Sequence, residues 1–374
     1  MGGMYIHIPF CRQACRYCDF FFSVSLKYQD QFINALILEL EAKSKNIKNQ
    51  EMESIYLGGG TPSLLSSENL TRILNVVRNR YLISEQAEVT IECNPDDLVA
   101  SRLQAFKSLG VNRLSIGIQS FDDRDLKLMR RSHNAIQAEK SVEDASSAGF
   151  ANISVDLIYG IPGQSSGGWR ENIFKALSLP VAHLSAYHLT FEKGTVFDHW
   201  RKKGKLMPVP EEQSEIMYGM LREEVLEAGF EHYEISNFAR KGYRSRHNQL
   251  YWSGKPYLGI GPSAHSFNGT SRSWNMSSLK GYMESVSEGR SGKSEILSLK
   301  ERYHDYLITS LRTSNGADRT CILQQFGVDY RQYFDRQASQ FISAGSLCEE
   351  GDRLFIDPKK WLLADHIISG LFMD

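Results

Sequence analysis

An α/β fold with parallel strands is what this sequence predicts, on three observations. Short runs of β-branched and aromatic residues recur through the first half of the chain, helical patterns lie between them, and polar or glycine-rich residues gather after successive runs. The runs are YIHIPF (5–10), SIYLGG (54–59), EVTIEC (88–93), RLSIGI (113–118), ISVDLIYG (153–160) and HLSAYHL (183–189). After Lys27, Phe32, Leu36 and Leu40 recur every four residues with Ile33 and Ile37 beside them on the same face. After the second run, Leu70, Ile73, Leu74 and Val77 fall at i, i+3, i+4 and i+7. Strand then helix, repeated about six times, implies parallel strands joined by right-handed crossovers, in a barrel or an open doubly wound sheet.

The loop after the first strand holds cysteines; GGGTP follows the second, CNPDD the third and Gln119 the fourth. Parallel α/β folds build their sites at the C-terminal ends of strands, so the unusual chemistry is expected on one rim. From about residue 200 the pattern changes to helices and loops, and GRSGKSE (289–295) reads as a linker. Beyond it, three helical stretches and two short strands around Glu350-Gly351-Asp352 suggest a small, mostly helical, winged-helix-like domain. The expected division is residues 1–200, 201–292 and 293–374.

At 374 residues, 41% hydrophobic and 23% charged, the chain can bury a substantial core. Lys plus Arg total 43 against 44 for Asp plus Glu, which leaves no broad positive field, and nucleic acid is not an expected partner. No apolar run reaches the ~18 residues that a transmembrane segment needs, and MGGMYIHIPF lacks the features of a signal peptide. A cytoplasmic location is expected.

Six cysteines are too few for a disulfide scaffold in a chain of this length, and three of them crowd into Cys11-Arg-Gln-Ala-Cys15-Arg-Tyr-Cys18. Thiolates are soft ligands for iron-sulfur clusters or zinc. A structural zinc site closes with four protein ligands, and the nearest extra candidate, His7, stands at no usual zinc spacing. A cubane cluster with one open iron accounts better for three thiols, with zinc and incidental burial as the alternatives. Cys93, Cys321 and Cys348 stand alone and read as packing residues.

CxxxCxxC with an aromatic residue before the third cysteine resembles the signature of radical S-adenosylmethionine (SAM) proteins. YIHIPFCRQACRYCDF, YLGGGTPS, IECNPDDL, RLSIGIQSFDD, Arg131-Ser-His, VDLIYGIPGQ and GIGPSAHSF extend the resemblance over nearly the whole chain. They are similar to the oxygen-independent coproporphyrinogen III oxidases and their relatives, the HemW-type heme chaperones. The resemblance implies a partial (β/α)6 TIM-type barrel carrying a 4Fe-4S cluster on Cys11, Cys15 and Cys18, followed by a HemN-type C-terminal domain. It also implies a SAM site formed by Tyr5, Tyr17, the Gly59-Gly60-Thr61 loop, Glu92, Gln119, Arg131 and Asp156. Tyr187 and the second glycine-rich loop, Gly259 to His265, would reach the same cofactor. Their residue types suit the task, since carboxylates accept from hydroxyls or an ammonium and arginine pairs with a carboxylate.

Two features separate the branches of the family. The oxidases carry one more cysteine two residues after the triplet and a long N-terminal extension, whereas this chain has Phe20 there and four residues before Tyr5. His247-Asn248-Gln249-Leu250-Tyr251-Trp252 matches the HNxxYW motif of the HemW-type chaperones. Imidazole ligates heme iron, and Tyr and Trp can cover a porphyrin face, so His247, Asn248, Tyr251 and Trp252 are the expected heme residues, with Arg244 and Arg246 placed to meet propionates. The resemblance thus implies a heme carrier serving a membrane-bound respiratory hemoprotein, in the cytoplasm or peripherally at the inner face of the membrane. The alternative is a radical SAM oxidase that decarboxylates coproporphyrinogen III.

Overall fold

The computed structural model describes residues 2–45, 50–290 and 292–373. Six strands, β1 (Gly2–Ile8), β2 (Met52–Gly59), β3 (Ile83–Cys93), β4 (Arg113–Gln119), β5 (Asn152–Tyr159) and β6 (His183–His188), lie side by side in chain order. All five pairings between them are parallel. The crossovers are α1 (Gln29–Ser44), α2 (Ser67–Arg80), α3 (Ala100–Ser108), α4 (Asp123–Met129) with α5 (Ala135–Ser147), and α6 (Ser166–Ser178). This is the expected α/β architecture, a partial barrel with helices outside.

The helical stripes do what their spacing predicts. Phe32, Ile33, Leu36 and Leu40 of α1 and Leu70, Ile73, Leu74 and Val77 of α2 are buried in one core with Met4, Ile6 and Ile8 of β1. Alternation along β1 then turns Gly3, Tyr5 and His7 to the opposite face, inside the barrel, where Tyr5 stacks on Tyr56. Ser66, Asn134 and Ser165 cap α2, α5 and α6 through their side chains, which fixes where each crossover begins.

The region after residue 200 departs from expectation. Following α7 (Val196–Lys202) and α8 (Glu211–Glu227), β7 (Glu231–Glu234) and β8 (Asn237–Ala239) extend the sheet beyond β6. After α9 (Arg246–Trp252), β9 (Tyr257–Ile260) pairs parallel with β1 on the other flank. Next come β10 (His265–Phe267), β11 (Ser271–Trp274), α10 (Leu279–Ser287) and β12 (Lys293–Ile296), completing the twelve-stranded order β12-β11-β10-β9-β1-β2-β3-β4-β5-β6-β8-β7. These added strands are three or four residues long, too short for an alternating pattern to show in the sequence. The expected linker is therefore corrected in part: Lys293–Ile296 is an edge strand on β11, and its charged composition suits an exposed edge.

The chain ends with α11 (Leu299–Leu311), β13 (Ala317–Asp318), α12 (Arg319–Phe326), α13 (Val328–Ser343), the hairpin β14 (Leu347–Glu350) and β15 (Arg353–Ile356), and α14 (Ala364–Ser369). The hairpin turns on Gly351 at φ 60°, a left-handed conformation natural to glycine. The three helices and hairpin follow in the expected order, with β13 as a third strand beside β15.

Candidate functional site

The loop leaving β1 carries Cys11, Cys15 and Cys18 as free, half-buried thiols. The loop is anchored at several points. Cys11 N–H donates to Ser23 O at 3.0 Å and Arg16 N–H to Met129 O at 3.1 Å. The Arg12 guanidinium meets Asp97 at 2.6 Å, and Arg16 lies over the Trp200 ring. Burial pushes the Cys11 thiol up and the Cys18 thiol up to about 12, so metal ligation here must displace protons. Among the described residues, no three His, Cys, Asp or Glu side chains are gathered closely enough to hold one metal ion. The three thiols line one cavity of about 480 Å3, which brings the expected ligands of a cluster to the same site.

The glycine-rich turn after β2 packs directly on this loop. Gly60 N–H donates to Ile8 O at 2.8 Å and Thr61 N–H to Phe10 O at 2.7 Å. A Cβ on Gly60 would stand 2.8 Å from the Phe10 oxygen, and one on Gly59, at φ 108°, 2.5 Å from the His7 ring. The glycines thus serve the approach of one strand end to the next, while Gly59, Gly60 and Thr61 still line the cavity.

Glu92, at the end of β3, accepts from Tyr56 Oη at 2.8 Å and from Gly59 N–H at 2.9 Å. Burial pushes its carboxyl up to about 7, with Asp156 adding to the rise. Asp156 on β5 accepts from Ser115 Oγ at 3.2 Å and is likewise raised by burial. Arg131 reaches the same cavity because Arg130 ends α4 in the left-handed conformation. Its guanidinium donates to Asn94 Oδ1 and Gly117 O at 2.7 Å each and contacts Cys15 Sγ at 3.4 Å. Its buried Nε has no partner, leaving a donor for a ligand group. Burial opposes that charge, but Tyr17 and Cys15 sustain it.

Gln119, last in β4, sits at φ 71°, a strained backbone for a residue that is not glycine, and lines the cavity. Tyr17 lines it and also packs on a small apolar cluster with Met129 and Phe197, so its structural and site roles coincide. Tyr187, at the end of β6, faces the opening.

Two expected SAM residues lie elsewhere. Tyr5 is one layer back, stacked on Tyr56 and bonded through Oη to His7 Nδ1 at 3.0 Å. His265 is exposed and stacks on Trp274. The second glycine-rich loop is nevertheless closely built: a Cβ on Gly259 would collide with the His265 backbone, and Gly261 N–H donates to buried Glu39 at 2.8 Å.

The HNxxYW segment forms α9, capped by Ser245, beneath the barrel strands. His247 is buried with both ring nitrogens engaged, Nδ1 with Ser54 Oγ at 2.8 Å and Nε2 with Tyr251 Oη at 3.0 Å. It stacks on Tyr56 at 5.0 Å, and burial, then Arg113, pushes it down to about 3. The ring has no free nitrogen here, so iron ligation by His247 would have to displace Ser54 or Tyr251. Asn248 also departs from expectation, since it lines the thiol cavity, while Tyr251 and Trp252 face a different one.

Asn94, Arg113, Ser115 and Ser185 line the thiol cavity and were not singled out by the sequence. Arg113 had a signal, a lone cation opening an otherwise buried strand; it is fully buried, 3.9 Å from Glu88, with Nε unpartnered.

Comparison with known proteins bears on the family and the fold. Residues 5–174 match the radical SAM superfamily and residues 297–363 the HemN C-terminal domain. The chain is 34% identical to "Heme chaperone HemW" of Bacillus subtilis (strain 168), covering 99% of each chain. It is 31% identical to the protein of the same name from Lactococcus lactis, over 100% of this chain and 98% of that one. Coproporphyrinogen III oxidase (HemN) from Escherichia coli superposes with a TM-score of 0.87 at 23% identity, covering 99% of this chain and 90% of that one, which establishes the shared fold. The chain belongs to the radical SAM superfamily, as a HemW-like member with a HemN-type C-terminal domain.

Proposed function

We propose that the chain takes up heme and passes it to hemoprotein acceptors, among them a membrane-bound respiratory protein, while retaining a 4Fe-4S cluster and a SAM site. The observation that carries this reading is full-length identity of 31–34% to proteins named heme chaperones. Phe20, 67% exposed where the oxidases place a further cysteine, favours the carrier over the oxidase. No helix among the described residues is long and apolar enough to cross a membrane, so a membrane acceptor would be met at the surface.

In this reading Cys11, Cys15 and Cys18 hold the cluster, whose open iron supplies one-electron chemistry toward a bound sulfonium. Arg131 offers its unpartnered Nε to the SAM carboxylate, while Glu92, Gln119 and Asp156 take the amino and ribose groups. His247 acts as the pin of α9, fixing Tyr251 and Trp252 where a porphyrin can meet them.

The test is a hemin titration of anaerobically purified, iron- and sulfide-reconstituted protein, followed by absorbance. A Soret band saturating near one equivalent is expected. Binding no better than to an unrelated protein overturns the reading.

A further inference from the structure

A second cavity, of about 940 Å3, opens between α9 and the C-terminal elements α11 and α12. It lies at the upper end of ordinary ligand sites, about 300–1,000 Å3. Its walls are aromatic on both sides, with Trp252 and Tyr257 facing it from the barrel and Tyr306 and Phe326 from the C-terminal module. The lining is also cationic, and most of its cations are matched. Lys255 pairs with Glu53 at 3.7 Å, Arg244 with Glu231 at 3.0 Å and Arg272 with Asp305. Arg246 and Arg302 have no carboxylate within ion-pair distance among the described residues; Arg246 Nη1 donates only to the Gln86 carbonyl, at 2.6 Å, and the buried Nε of Arg302 has no hydrogen-bond partner. Two unmatched guanidinium groups in an aromatic slot fit a flat ligand with two carboxylates.

We infer that this cavity is the heme pocket, that Arg246 and Arg302 take the two propionates, and that Cys321 supplies the iron donor. The inference rests on the heme reading above and adds to it the opposing wall and the ligand. His247 has neither nitrogen free. Burial raises the phenols of Tyr233, Tyr251, Tyr257 and Tyr306 above their ordinary value, so an iron would displace a proton from any of them at greater cost than phenols or thiols ordinarily demand. Cys321, half-buried near the start of α12, is the one thiol in the lining; its sulfur accepts from Gln325 Nε2 at 3.1 Å. Thiolate is an established axial donor to heme iron.

The test is hemin titration of the full chain carrying Arg302→Ala, Arg302→Lys, Arg246→Ala or Cys321→Ser. Each arginine-to-alanine change is expected to weaken binding roughly tenfold, the loss of one charge-assisted hydrogen bond, with partial rescue by Arg302→Lys. Cys321→Ser is expected to shift the ferric Soret band. Wild type that binds one equivalent while all four variants match it in affinity and spectrum overturns the pocket and leaves the carrier reading intact. An unshifted spectrum in Cys321→Ser overturns the donor. Wild type that binds no heme overturns both the pocket and the carrier reading.

Discussion

The two cavities of this molecule are built on opposite plans. The thiol cavity draws its walls from successive parallel strands and the loops that leave them, so Thr61, Glu92, Gln119 and Asp156 arrive in chain order, and Glu92 and Asp156 are held by hydrogen bonds from neighbouring strands. The second cavity draws on α9, the strands after it and a C-terminal module; Arg244 and Lys255 are paired on the barrel side, and Arg272 meets Asp305 across the gap. Sites at strand ends follow from topology, while a site between packed modules depends on how two surfaces meet. α9 belongs to both: Asn248 looks into the first cavity and Tyr251 into the second, with His247 buried between them.

The sharpest way to separate the two is to empty one. Replacing Cys11, Cys15 and Cys18 together by alanine is expected to abolish iron and sulfide loading, measured by metal analysis. Hemin affinity should change by less than about threefold, because no thiol of the triplet lines the second cavity.

Breaking the shared wall should damage both. His247→Ala removes the stack on Tyr56 and leaves Ser54 and Tyr251 without their partner. A loss of about 3–5 kcal/mol in denaturant unfolding is expected, from a buried cavity plus unsatisfied hydroxyls. Lost heme uptake in this variant therefore needs a fold measurement beside it before it speaks to ligation.

The third prediction concerns pH. Burial pushes Glu234 from 4.5 up to about 7. The folded state then holds a proton that the unfolded chain has released, so this contribution is full below pH 4.5 and lost as pH rises through about 7. Glu234→Gln is expected to flatten that fall by on the order of 1–3 kcal/mol, read from unfolding midpoints across the window. His247, pushed down to about 3, acts in the opposite sense, with its stability present above 6.5 and lost as pH falls.

The smallest effect is local. Gln119→Gly relieves the strain at φ 71° and is expected to stabilise the metal-free protein by about 1 kcal/mol while weakening SAM binding, seen by calorimetry.

The contrast between the cavities also marks what a sequence can reveal. β1 to β6 and the stripes of α1 and α2 were legible because each buries a long, regular pattern. β7 to β12 were not, since strands of three or four residues take their identity from the neighbours they pair with unless a tight turn marks them, as Gly351 does between β14 and β15. At the thiol cavity, Glu92 near the end of β3 and Asp156 in the middle of β5 were legible as carboxylates that match the family's pattern, whereas Ser115 and Ser185, the latter paired with Asp156, look like ordinary alternation. The partners of His247 are a serine and a tyrosine, Ser54 and Tyr251, whose convergence on one ring only the fold reveals. Cys321 read as packing because nothing local in the sequence places it opposite Arg246 and Trp252.

The most direct test is a pair of hemin titrations, wild type beside the Cys11/Cys15/Cys18 alanine variant. Saturation near one equivalent in both, with iron and sulfide lost only from the variant, is the predicted result. A wild type that fails to saturate, or heme binding that disappears together with the cluster iron, would contradict the account of a heme carrier with two separate sites.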